Sequence, residues 1–186
     1  MTLILGDNIF YGEQLKEQLI DSDNIVGGKV FAVEVDNPKI YGVIQKDSSG
    51  NVEKIIEKPE NPPTNLAVTG LYCYDNKVVE VAKSLKPSKR GELEITDLNN
   101  AYLEKSSLKV CVLDNLSSWF DTGNFDSLLK ASTFIKETQE KTGEMIGAIE
   151  LVACINGWIT KDKLAEVLSK FKNSGYSDKL LASVIS

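Results

Sequence analysis

Runs of apolar and β-branched residues alternate with helical periodicities along most of the chain, and that alternation restricts the fold more tightly than any other feature. "LILGDN" at 3–8 and "KVFAVEV" at 29–35 read as strands. "YGVIQKDSSGNVEKIIEKP" at 41–59 carries alternating apolar residues on both sides of Ser48-Ser49-Gly50-Asn51, the signature of a hairpin. "LAVTGLYCYD" at 66–75, "LKVCVLDN" at 108–115 and "SSWFDTG" at 117–123 are further strands. Helical spacing occupies Glu13 to Ile20, "NKVVEVAKSLKP" up to Pro87, a segment capped by Thr96 and running through Leu103, and Asn124 to Thr142. One clear helix follows from Lys161 to Phe171, with short pieces after it. Strands alternating with helices predict an α/β layered domain with a largely parallel sheet. In that fold "LILGDN" is a buried parallel strand whose carboxyl end delivers Asp7 to a crevice.

The chain contains no histidine. Ser-His-Asp hydrolysis, Cys-His thiol chemistry and His-ligated metals are thereby excluded, leaving carboxylate, lysine and magnesium chemistry. Phosphoryl and nucleotidyl transfer suit that inventory, because an anionic phosphate nucleophile needs positioning and charge neutralisation more than a base. A net charge of −6 without a basic stripe argues against nucleic acid as a partner. Cys73, Cys111 and Cys154 are well separated and read as reduced, buried small hydrophobes. No apolar run approaches the ~20 residues needed to span a bilayer, and no signal peptide precedes the first strand, so the expectation is a soluble cytoplasmic protein with no membrane partner. Asp7 and Asp121 each end an apolar strand, so both could share one cation at the sheet's edge; the bland alternative is that each caps the next helix or turn.

Four strings, "LGDNIFYG" at 5–12, "YGVIQKDSSGNVEKIIEKP" at 41–59, "AVTGLYCYDNKVVEVAKSLKPSKRGELEITD" at 67–97 and "WFDTGNFDSLLKASTFI" at 119–135, occur in that order. Together they closely resemble the bacterial glucose-1-phosphate thymidylyltransferases, members of the nucleotide-sugar pyrophosphorylase family. The resemblance implies a Rossmann-like α/β nucleotidyltransferase domain over 1–142 and a helical extension over 143–186. It implies transfer of a thymidylyl group from dTTP to glucose 1-phosphate, yielding dTDP-glucose and pyrophosphate, with Mg2+ as cofactor, in the dTDP-rhamnose pathway and as a homo-oligomer. Asp7 and Asp121 match its metal ligands. Asn8, Gly42 and Val68 match contacts to the nucleotide sugar, and Glu57 and Lys58 the pair that grips hexose and phosphate.

Arg90 matches a further phosphate ligand, and it is the only arginine in a chain whose Lys and Arg total 21. A plain surface charge here would have been lysine, whereas a planar fork for phosphate cannot be replaced that way. The bland alternative is a salt bridge to Glu92 or Glu94. Trp119 could flank the sugar, although a strand tryptophan is more often core.

Two departures from the family pattern carry expectations of their own. Its glycine-rich nucleotide loop, "GGxGTRLxPxT", is not in this sequence. The chain therefore corresponds to the C-terminal two-thirds of such an enzyme, expected to be incomplete and inactive alone. A degenerate sugar-phosphate binding module and a non-catalytic assembly subunit are the alternatives. The arginines of the family's second nucleotide site are also replaced, by Asp114-Asn115-Leu116 and Cys154-Ile155-Asn156-Gly157-Trp158, which speaks against feedback binding of that kind.

Overall fold

The computed structural model describes residues 1–22, 24–88, 91–114, 116–171 and 175–185. Arg90 and Asn115 lie outside the described residues. The chain divides into two compact units, Met1–Leu128 and Leu129–Ser186.

The first unit contains β1 (Thr2–Ile4), β2 (Asn8–Tyr11), α1 (Glu13–Ile20), β3 (Gly28–Glu34), β4 (Gly42–Lys46), β5 (Val52–Glu57) and β6 (Leu66–Tyr74). It continues with α2 (Val78–Ser84), α3 (Ile95–Glu104), β7 (Leu108–Val112) and β8 (Ser118–Asp121). The main sheet has the order β5-β4-β6-β3-β7 with β1 also on β6, while β2 and β8 form a separate pair.

All nine residues of β6 are buried, because both faces of the sheet are covered. On one face Val68, Tyr72 and Tyr74 pack with Val30, Ile44, Ile55, Leu98 and Tyr102. On the other, Leu71 and Cys73 pack with Phe31, Leu15 and Leu113. The period-two alternation of β6 thus feeds two cores from one strand. Tyr74 stacks against Tyr102 with centroids 5.5 Å apart, and its buried hydroxyl donates to Asn99 Oδ1 at 2.6 Å.

The α/β class holds, but the expectation of a largely parallel sheet does not. Among the described residues β3 and β7 are the parallel pair, whereas β1–β6, β3–β6, β4–β5 and β4–β6 are antiparallel. The reason lies in the connections. Parallel neighbours need a crossover of helical length, whereas β4 and β5 are joined by a tight turn and β3 reaches β6 through that hairpin rather than a helix. β1 is likewise not a buried parallel strand. It pairs Thr2 with Cys73 and Ile4 with Leu71, and Leu3 and Ile4 are exposed. Thr96 is not the cap of α3 either: Glu94 holds that position in extended conformation, and Thr96 is the second residue of the helix and buried.

α4 (Phe125–Thr142) follows the predicted helix. Within the second unit, α5 (Ile149–Ile155), α6 (Lys161–Leu168) and α7 (Gly175–Ile185) close around Ala148, Leu164, Leu168 and Leu180. The Thr160 side chain accepts from the Lys163 amide at 3.1 Å and starts α6. α5 went unread in the sequence because its seven residues are too short for a clear period. Cys73, Cys111 and Cys154 are free. Among the described residues no helix is long and apolar enough to cross a membrane.

Candidate functional site

The pairing of the segment after β1 assembles the acidic part of the site. β2 runs antiparallel to β8 with Asn8 opposite Asp121. Asp7 is held beside it, because the Thr122 amide and hydroxyl both donate to its backbone carbonyl, at 2.7 and 2.8 Å. The two carboxylates converge on Gly123. A Cβ there would lie 3.3 Å from Asp121 Oδ1 and 3.6 Å from Asp7 Oδ2, so the glycine keeps clear a notch that both oxygens face. Two carboxylates facing one notch fit a hard divalent cation that completes its shell with water and ligand oxygens. Among the described residues no group of three or more His, Cys, Asp or Glu gathers for a metal, so the pair is the whole acidic set.

Beside the carboxylates lies a cavity of about 180 Å³, lined by Asn8, Gly42, Glu57, Lys58, Val68 and Asp121. Strand alternation should send Glu57 and Lys58 to opposite faces. Instead Lys58 adopts a left-handed backbone, φ 43°, just past the end of β5 and before the buried Pro59. Its amide donates to the Tyr41 carbonyl at 3.0 Å. The kink brings the ammonium to 4.0 Å from the Glu57 carboxylate. Glu57 in turn accepts from the Thr96 hydroxyl at 2.5 Å. Gly42 sits between them: a Cβ would come within 3.2 Å of Thr96 Oγ1 and 3.5 Å of Glu57 Oε2.

Tyr41, Tyr72, Thr96 and Asn99, which sequence reasoning did not assign to the site, complete the wall together with Trp119. Tyr41 and Trp119 face each other with ring centroids 5.1 Å apart, and Tyr72, Thr96 and Asn99 line the same cavity. Burial, and then the Asp121 charge, pushes the Tyr41 phenol above its ordinary range; burial, and then Glu57, does the same to Tyr72. Both phenols therefore stay protonated donors. Trp119 lines this cavity and is only half-buried. No periodicity distinguishes a strand aromatic facing a site from one in a core. Arg90, the remaining predicted residue, falls outside the described residues.

A larger cleft of about 490 Å³, lined by Glu53, Lys54 and Glu104 among others, gathers none of the predicted residues. The smaller cavity is where carboxylates, an ammonium, hydroxyls and aromatic faces converge, and that set suits a small polyhydroxylated anion.

A family profile described as Nucleotidyl transferase matches residues 1–138. Glucose-1-phosphate thymidylyltransferase of Mycolicibacterium smegmatis is 45% identical over 181 residues, covering 97% of this chain and 63% of that protein. Its namesake from Neisseria meningitidis is 43% identical over 180 residues, 96% of this chain and 62% of that protein. The chain thus spans about 63% of the length of the curated relatives it matches. Among solved structures, a protein of Bacillus anthracis assigned as a glucose-1-phosphate thymidylyltransferase, in complex with sucrose, is 40% identical with a TM-score of 0.61. That match covers 72% of this chain and 53% of that one. UDP-glucose pyrophosphorylase complexed with UDP-glucose, 23% identical, covers 74% of this chain and 56% of its own with a TM-score of 0.63, a likeness of fold.

Proposed function

The chain belongs to the nucleotidyl transferase family, and from that premise we propose that it carries the sugar-phosphate and metal half of a glucose-1-phosphate thymidylyltransferase. In that reaction a phosphate oxygen of glucose 1-phosphate attacks the α-phosphorus of dTTP. The new P–O bond forms as the bond to the β-phosphate breaks, and pyrophosphate leaves with the electron pair.

Glu57 accepts hydrogen bonds from sugar hydroxyls, its far oxygen being held by Thr96. Lys58 and Arg90 neutralise the sugar's phosphate. Asn8, Gly42 and Val68 line the hexose site, glycine and valine keeping it shallow enough for the ring to reach the backbone. Magnesium, when bound at Asp7 and Asp121, supplies charge neutralisation for the phosphate oxygens. Tyr41, held protonated, offers a neutral donor at the same rim. The observation that carries this reading is that Asn8, Gly42, Glu57, Lys58, Val68 and Asp121, scattered over more than a hundred positions of the sequence, line one cavity. The 45% identity to the mycobacterial enzyme supports the choice of substrates.

The cationic loop that neutralises the triphosphate is not in this sequence, so the activity requires that element from elsewhere. The test has two parts. Isothermal calorimetry on the 186-residue chain is expected to detect weak glucose 1-phosphate binding, diminished by Arg90→Lys. Fusion behind the N-terminal portion of the Mycolicibacterium smegmatis relative should restore pyrophosphate release from dTTP and glucose 1-phosphate. Absence of heat with the sugar phosphate would sink the site, and a folded fusion without turnover would sink the activity.

A further inference from the structure

Asn8 was expected only to touch ligand, but its side chain is committed to three protein partners. Its Oδ1 accepts from the Gly70 amide at 2.9 Å and from the Trp119 indole N–H at 2.6 Å, and its Nδ2 donates to Asp7 Oδ1 at 2.9 Å. The orientation of the amide is forced, because an indole N–H and a backbone N–H can only donate; the oxygen must face them and the nitrogen must face Asp7. One carboxylate oxygen of Asp7 is thereby occupied, and the other, Oδ2, is the one that faces the Gly123 notch beside Asp121.

The main sheet makes room for this arrangement. Where β3 pairs with β6 the register slips, so that Thr69, Gly70 and Leu71 lie across from Phe31 alone. On the edge of β6 that faces β1, the Gly70 carbonyl accepts from the Leu5 amide at 2.9 Å and the Gly70 amide is left to donate to Asn8. A Cβ at Gly70 would lie 2.6 Å from Asn8 Oδ1, so no larger residue fits beneath the amide. The same Asn8 oxygen holds Trp119, whose ring lines the cavity beside Tyr41.

We propose that Asn8 is a positioning residue that selects which Asp7 oxygen faces the divalent cation and ties that carboxylate to Trp119, so that the aromatic wall and the cation site are set together. This rests on the reading of Asp7 and Asp121 as cation ligands. Partners that orient a ligating group are worth 10–100-fold in metal affinity, and a loss on the order of tenfold is expected for Asn8→Ala.

The test uses the full chain, with and without glucose 1-phosphate. Mn2+ affinity is measured by electron paramagnetic resonance, and the two indole N–H signals of Trp119 and Trp158 are followed by NMR during Mg2+ titration. The Trp119 signal of the parent should shift on adding Mg2+, although the indole is no ligand, while that of Trp158 stays still. Asn8→Ala should weaken Mn2+ binding about tenfold and abolish the shift. Trp119→Phe keeps an aromatic ring at that position, though a smaller one, and removes the N–H, so it serves if Asn8→Ala fails to fold; it should weaken Mn2+ binding by a smaller factor. Unchanged Mn2+ affinity in variants that merely melt earlier would overturn the positioning role alone. A parent that binds no Mn2+ would overturn the cation reading and the proposal with it.

Discussion

Lys58 offers a sharp perturbation because its backbone, rather than its charge alone, builds the site. Its φ of 43° puts a side-chain-bearing residue in the left-handed region, which costs roughly 1–2 kcal/mol for an L-residue. Glycine visits that region freely but loses more chain entropy on folding, by roughly 0.5–1 kcal/mol relative to alanine. Lys58→Ala keeps the strain and removes the ammonium, whereas Lys58→Gly removes both. The ion pair to Glu57 at 4.0 Å is partly exposed and is lost equally in either variant, so it cancels. Glycine should therefore be the more stable of the two by about 0.5–1 kcal/mol, the reverse of the order at an ordinary strand position. In a chain of this length that corresponds to a thermal midpoint about 1–4 °C higher. Urea melts followed by Trp119 fluorescence provide the assay, with calorimetry against glucose 1-phosphate beside them. Both variants should bind the sugar phosphate more weakly than the parent. A Lys58→Gly protein no more stable than Lys58→Ala would refute the claim that strain at this residue is what turns the ammonium toward Glu57.

Asn100 occupies the outer edge of β5, its amide accepting from the Ile55 N–H and donating to the Ile55 carbonyl, each at 2.9 Å. Asn100→Leu should cost roughly 1–3 kcal/mol in urea melts and open that edge to strand pairing, seen as concentration-dependent sedimentation; an unaltered midpoint would count against the plug. Burial, followed by the hydrogen bond to Glu150, pushes the Tyr176 phenol from 10.0 up to about 12. The folded state then holds a proton that the unfolded state loses, so this contribution is fully present below pH 10 and lost progressively as pH rises toward about 12. Denaturant midpoints over that window should fall less steeply in Tyr176→Phe, and an identical slope would contradict the assignment.

Element type was legible in the sequence because it is a local property. The hairpin around Ser48–Asn51, the helix Glu13–Ile20 and the long strand at β6 follow from periodicity and turn chemistry that neighbouring residues settle among themselves. The residue types suited to phosphate chemistry were legible for the same reason: a chain without histidine but with strand-end carboxylates admits few other reactions. Strand direction was not legible, because it depends on what the connections do in space; the same apolar runs serve a parallel or an antiparallel sheet. Nor was the short pairing of β2 with β8, whose partners stand more than a hundred residues apart. That pairing alone brings Asp7 beside Asp121 and places Trp119 over Asn8. The left-handed turn at Lys58 and the slipped register at Gly70 are likewise tertiary decisions, since each holds a backbone group away from its local preference by contacts made elsewhere in the fold.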